Sequence, residues 1–557
     1  MKALIALLAG AALANAQNTL SDLVDRYFDD YFRLNPTQAT ASGFHDPYDA
    51  QMEDYSAAGW QARAALCERY LPEFQKLPPS DERDLVIASL NAQLTNIRDV
   101  RPQEKNPDLY SSGVTSSIFT LMARKFAPPE ERLRSVIARE QMIPRVLQSA
   151  QGQLKNPPRI YTEVALEQLP GLQSFFASDV PAAFSTVTDE SLLKSFKDTN
   201  TQTISALQAY EAWLKKDVLP QSKGDFRIGA ENYRKKLLYE EMVDIPLDRL
   251  LEIGYANMRA NQRSLAEVCK RIDATKTPQQ IVQRLENDHP PPDQLLNAFR
   301  NTFDGLIAFI REHRIITIPS DERPTLEETP PFERALTTAS MDTPGPYEKV
   351  ATTAFFNVTL PEKSWPAERV QEFMSAFGRG TIVSTAIHEA YPGHFVQLLW
   401  FQKVQSKPRK LIGCGSNIEG WAHYTEQMML DQGYGNHDPE LRAGQLLDAL
   451  LRNARYIVGI EMHTGKMTFE QGIQFFMKEA YMSRDYSERE TKRGTSDPTY
   501  LVYTLGKLQI LKLRSDYQAK MGAKFSLEQF HNEFMQQGGV PIALIRHAML
   551  GDNSPTL

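Results

Sequence analysis

The sequence predicts a mainly α-helical, two-lobed fold with a small β element beside one polar helix. Three observations lead to it. Apolar residues recur at helical spacing over Leu20 to Phe32, Leu237 to Arg263 and Pro439 to His463, the rhythm of helices that bury one face. Helix-start signals stand before several segments: Asp438-Pro439 and Asp497-Pro498 set a capping acid before a proline, while Thr468-x-x-Gln471 and Ser526-x-x-Gln529 have the form of capping boxes. One stretch, from about Thr317 to Pro366, breaks the rhythm with prolines and threonines. Within it Thr353 to Leu360 has the aromatic and β-branched content of a strand.

At 557 residues and 63.1 kDa the chain is long enough to divide into lobes around a cleft. Hydrophobic residues make up 42% and charged residues 24%, and the net charge of -7 is spread without long runs of one sign. These are ordinary globular values, and they argue against a disordered chain or a nucleic-acid binder. No repeat or composition shift marks a boundary, so 17–557 reads as a single catalytic unit. The opening MKALIALLAGAALANAQ joins a basic residue, a short apolar run and small residues at Ala14 and Ala16. It reads as a signal peptide over 1–16, cut after Ala16, and predicts an exported protein. No later segment approaches the ~20 apolar residues of a spanning helix, so no membrane span is expected. The three cysteines, Cys67, Cys269 and Cys414, allow at most one internal disulfide. One N-x-T acceptor stands at Asn357.

Chemistry concentrates between residues 388 and 463, where five of the ten histidines fall. His388-Glu389 is followed by His394, a pattern in which two imidazoles hold a metal and the carboxylate between them activates water. The spacing is irregular, because a regular helix would want its second histidine four residues on, where Pro392 stands. Pro392 cannot donate to the carbonyl of His388, and Gly393 tolerates a widened or broken turn, so His394 can swing back. Glu419, His423 and Glu426 then share one face of a second helix. Glu419 is the first choice for third ligand, with His423 and Glu426 as alternatives that would otherwise orient the ligands. A buried polar cluster with no purpose would be costly, which favours a site over packing. The aromatic run Tyr27 to Phe32 and Cys414 read as packing.

His388-Glu-Ala-Tyr-Pro-Gly-His394 and Glu419-Gly-Trp-Ala422 together resemble the motifs of domain-of-unknown-function family eight-eight-five, itself similar to the gluzincin metallopeptidases. The resemblance covers most of the chain, from Asn35-Pro-Thr-Gln-Ala-Thr-Ala-Ser-Gly43 to beyond Pro498. It implies a metallopeptidase-like helical fold, Zn2+ as cofactor, His388, His394 and Glu419 as its ligands and Glu389 as general base. Two later segments, Arg452 to His463 and Glu490 to Gly506, also resemble the family. Gly459 stands where that pattern commonly has aspartate, and Thr499-Tyr500 replace Gly-Gln.

Zinc at such a site acidifies water, with Glu389 to take the proton and deliver it to the leaving nitrogen. Tyr503, then Tyr500, then His463 are the expected donors to the oxyanion. Arg493 is expected to bind a substrate carboxylate, on or beside a substrate-site helix over 498–513. Edge pairing by Phe355 to Leu360 would place Asn357 against an extended peptide. The leading expectation is a secreted zinc hydrolase of peptides or small amides. A specialised amide hydrolase or an ATP-independent amide ligase keeps the same chemistry, and a non-catalytic helical binding protein is the reading from another class. Oligomeric state is left open.

Overall fold

Helical rhythm becomes helix almost throughout. The computed structural model describes residues 19–330, 334 and 337–557, so the signal-peptide reading of 1–16 lies outside the described residues. Among the described residues helices account for 71% and strands for 3%, which settles the class as mainly α. Among the described residues no helix is long and apolar enough to cross a membrane. All three cysteines are free and buried.

The chain divides into two compact units. The first comprises the residues up to Phe226 with Pro344–Thr352 and Gln405–Ile412. Its core holds the aromatic run read as packing: Tyr27, Phe28 and Phe32 are buried with Phe74, Val86 and Leu90. Helices Ala57–Gln75 and Asp81–Thr95 start where Ser56 and Ser80 accept hydrogen bonds from the backbone N–H of Gly59 and Arg83, each satisfying a donor the first turn leaves orphaned.

The second unit comprises Arg227–Thr343, Thr353–Val404 and Gly413–Leu557, and every candidate site residue lies in it. The helix expected from Leu237 to Arg263 is two, Gly229–Glu240 and α1 (Leu247–Ile272), parted at Met242, whose φ of 52° is left-handed, and at Pro246. After α2 (Leu295–Glu312) come three short strands, β1 (Thr325–Glu328), β2 (Ala339–Asp342) and β3 (Phe355–Val358). Their order is β1-β3-β2, with β3 parallel to β1 and antiparallel to β2. The expected strand therefore sits in the middle. Asn357 is paired with Glu327 on one side and Ser340 on the other and is only 2% exposed. This corrects the sequence reading: β3 has no free edge for a substrate, and Asn357 reaches neither a peptide nor a glycosylating enzyme.

The site-bearing helices follow: α3 (Arg379–Glu389), α4 (His394–Phe401), α5 (Gly415–Asp431), α6 (Pro439–His463), α7 (Arg484–Ser496) and α8 (Val502–Met521). α6 has the bounds its periodicity predicts, and Asp438 caps it through the N–H of Glu440. Thr468 and Gln471 form a full capping box, and Ser526 caps the N–H of Gln529. Asp497 behaves otherwise. Its N–H closes the end of α7 on the Arg493 carbonyl, and α8 begins only at Val502, so the substrate-site helix does not run from 498.

Candidate metal centre

His388 and Glu389 are the last residues but one and the last of α3. Beyond them the helix stops instead of widening. Pro392 has no N–H to offer, Gly393 donates to the Ile387 carbonyl at 2.9 Å, and α4 starts afresh at His394. Only glycine fits at 393, since a Cβ there would lie 1.7 Å from the His388 carbonyl oxygen. The break turns the two imidazoles onto each other, with centroids 4.8 Å apart and planes at 89°.

Glu419 arrives from the second turn of α5. Its Oε2 lies 3.4 Å from Nε2 of His388 and 3.3 Å from Nε2 of His394, and one ligand atom from each residue falls within 4.8 Å of the others. Two features hold α5 in place. Gly420 faces Gly506 of α8 so closely that a Cβ on Gly420 would meet the Gly506 Cα at 2.5 Å. Trp421 Nε1 donates to the Pro392 carbonyl at 2.8 Å, which fastens the second motif to the break in the first.

Charge is arranged around this point from behind. His388 Nδ1 donates to Glu426 Oε1 at 2.7 Å, His423 Nδ1 donates to Glu426 Oε2 at 3.0 Å, and Arg452 of α6 stands 3.2 Å from Glu426 Oε1. Burial alone would push His388 down, but Glu419 and Glu426 outweigh it and hold the imidazole up at about 9. Burial would likewise raise Glu419, yet His394 and His388 draw it well below the carboxylate range. Burial, with Lys507 nearby, drops His423 to about 3, so it stays neutral. The centre thus sets positive charge against the carboxylates of Glu419 and Glu426.

The donor set fits a zinc ion. Two imidazole nitrogens and a carboxylate oxygen converge, and Glu419 Oε2 is shut from solvent without making a hydrogen bond, an orphan acceptor that burial penalises unless a cation meets it.

A cavity of about 250 Å³ opens beside these residues, lined among others by His388, Glu389, Tyr503, Arg493, Arg452 and Trp365. Tyr503 stacks at 20° against His388, 6.2 Å between centroids, and its hydroxyl accepts from Arg493 Nη2 at 3.3 Å. Burial and the Glu419 charge raise the Tyr503 phenol, so it keeps its proton. Two expected donors are elsewhere. Tyr500 precedes α8 and turns inward against Gly459 and Gly494, and it does not line the cavity. His463 is 1% exposed, with Nε2 donating to the Gly494 carbonyl at 2.7 Å and Nδ1 accepting from the Ile228 N–H at 3.4 Å. Both of its nitrogens are spent on structure, which removes it as an oxyanion donor. The sequence reading gave no role to Arg452, Asp448 or the Arg455–Glu490 pair, closed at 2.6 and 2.9 Å. Their signal was three charged residues, Asp448, Arg452 and Arg455, interleaved with the apolar run from Leu446 to Ile460 of α6.

Comparison with known proteins bears on the whole chain. A solved protein of unknown function from Shewanella oneidensis is 27% identical, with a TM-score of 0.78 over 95% of this chain and 99% of that one. A second, from Colwellia psychrerythraea, is 18% identical, with a TM-score of 0.79 over 96% and 98%. Both are described as candidate lipoproteins. No curated protein matches the chain. The family profile described as bacterial protein of unknown function (DUF885) matches residues 36–549, and with the fold and both motifs in place the chain belongs to that family.

Proposed function

We propose that this protein is an exported zinc-dependent hydrolase of peptide or related amide bonds. The observation that carries the reading is the convergence of His388, His394 and Glu419 within 4.8 Å beside a cavity that Glu389 also lines. These three residues would hold the zinc, which when bound supplies Lewis acidity and lowers the pKa of a water. Glu389 takes the proton of the attacking water and returns it to the leaving nitrogen. Tyr503 keeps its proton and donates to the carbonyl oxygen as charge develops there. Glu426 fixes the His388 ring and tautomer through Nδ1. The strand that can receive an extended backbone is β2, at the sheet edge and lining the cavity at Ala339. Export is supported by the opening seventeen residues and by the description of the two solved relatives.

The test is metal analysis of the purified protein together with mass-spectrometric profiling of a mixed peptide library, with and without a chelator. About one equivalent of zinc and chelator-sensitive cleavage are expected. Glu389→Gln should keep the zinc and lose the cleavage. Cleavage that survives this substitution, or a protein that takes up no metal, refutes the reading.

A further inference from the structure

The cations of the cavity are not equally neutralised. Arg455 is closed by a two-pronged pair with Glu490, and Arg452 by Glu426 at 3.2 Å and Asp448 at 3.5 Å. Arg493 is not closed: its Nη2 alone reaches Tyr503 at 3.3 Å and Asp497 at 3.4 Å, and its side chain is 32% exposed. Arg489, four residues earlier on α7 and also lining the cavity, makes no ion pair or hydrogen bond among the described residues. Like charges one helical turn apart repel, so two half-buried guanidinium groups facing one space cost stability unless an anion enters between them.

The position of Arg493 says which anion. It is joined to the metal centre by one side chain: 6.2 Å from the His388 ring to that of Tyr503, then 3.3 Å from the Tyr503 hydroxyl to Arg493. With the breadth of the tyrosine ring between them, these legs exceed two residues of extended chain at ~3.3–3.6 Å each and come to about three. A guanidinium with free prongs at that distance matches a planar carboxylate on the leaving side of the bond to be cut.

We infer that Arg493, supported by Arg489, binds the terminal carboxylate of the substrate, so that the enzyme is a carboxy-terminal exopeptidase removing a short piece of at most about three residues. This rests on the hydrolase reading above, and binding separates the two. In the inert Glu389→Gln protein, titration calorimetry is run with hippuryl-phenylalanine, with its C-terminal amide, and with hippuryl-glutamic acid α-amide. The free acid is expected to bind ~10- to 100-fold tighter than the amide, Arg493→Ala to remove that preference, Arg493→Lys to restore part of it, and Arg489→Ala to weaken it less. Equal binding of acid and amide, or binding of neither, overturns the inference. So does Arg493-dependent binding of the glutamic acid α-amide alone, since the carboxylate recognised would then be a side chain. Carboxylate binding without cleavage of any acid by the wild-type enzyme would instead sink the hydrolase reading and leave the anion site standing.

Discussion

Glu426→Gln tests the electrostatic support of the metal centre. Glu426 is fully buried and gives one oxygen to Nδ1 of His388 at 2.7 Å and the other to Nδ1 of His423 at 3.0 Å, with Arg452 3.2 Å from the first. Glutamine has nearly the same shape but offers one acceptor and no charge, so one imidazole N–H loses its partner and the other bond ceases to be charge-assisted. A hydrogen bond to a charged group contributes ~1.5–3 kcal/mol. At about 1.4 kcal/mol per tenfold this is a 10- to 100-fold loss of zinc affinity, and outer-shell partners of metal-bound histidines generally have effects of that size. The assay is competition for zinc with a chromophoric chelator at neutral pH, with a melt of the chelator-treated protein to establish that the variant folds. Arg452 keeps Asp448 at 3.5 Å, so folding should survive with a lower melting temperature. A folded variant that binds zinc within twofold of wild type would show that Glu426 does not support the ligand, and the ordering of the site given above would be wrong.

In the first unit, burial raises Glu140 to about 7 despite hydrogen bonds from Asn200 and Thr199. The folded state then holds a proton that the unfolded state releases, so stability should fall as pH rises from about 4.5 to about 7, by up to ~3 kcal/mol. Urea unfolding at pH 5 and pH 8 should show that slope in wild type and not in Glu140→Gln; identical slopes would refute it. Gly506→Ala puts a Cβ 1.7 Å from the Ser416 carbonyl oxygen and forces α5 from α8. A loss of ~1–3 kcal/mol and weaker zinc retention are expected, and an unchanged melt with full zinc would contradict both. Trp421→Phe leaves the Pro392 carbonyl without its 2.8 Å donor. Thermal melts should show a cost of ~1–3 kcal/mol, and zinc competition should show weaker binding if the clamp positions His394; unaltered zinc affinity would make the bond purely structural.

The three metal-ligating candidates were legible because few residue types can do this chemistry and their order along the chain restricts them further. What joins them was not. His394 stands six positions after His388, a spacing equally compatible with a widened turn or a full break. The choice is made by one clearance, the 1.7 Å that a Cβ at 393 would leave to the His388 carbonyl, and that is a property of three dimensions. The strand at 353–360 was legible in the same limited way. Its composition announces β structure, but whether a four-residue strand lies at the edge or in the centre depends on Thr325–Glu328 and Ala339–Asp342, whose sequences carry no strong strand signal of their own. Arg452 and Asp448 were missed because a charged residue on a helix is ordinarily solvated, and only packing shows that these face inward.

The two places where the sequence departs from the pattern it resembles explain each other. Gly459 replaces a common aspartate and Tyr500 stands in a usual Gly-Gln, and in the fold they touch: a Cβ at 459 would lie 2.9 Å from the Tyr500 ring. Any larger residue at 459 would collide with the tyrosine, so the small residue makes room for the large one in a core 1% exposed at Tyr500. Neither residue lines the cavity. The departures are therefore a matter of packing behind α7 and α8, and they shift the question of specificity to the residues that do face the cavity. Of these, Trp365 and Phe373 supply an apolar wall, while Arg489 supplies charge with no ion pair among the described residues and Arg493 meets only Asp497, through one nitrogen at 3.4 Å. On the hydrolase proposed above, a substrate that meets both would carry an apolar body and a carboxylate within a few residues of the cleaved bond, and the link from His388 through Tyr503 to Arg493 favours the end of the chain over a side chain reaching from farther away.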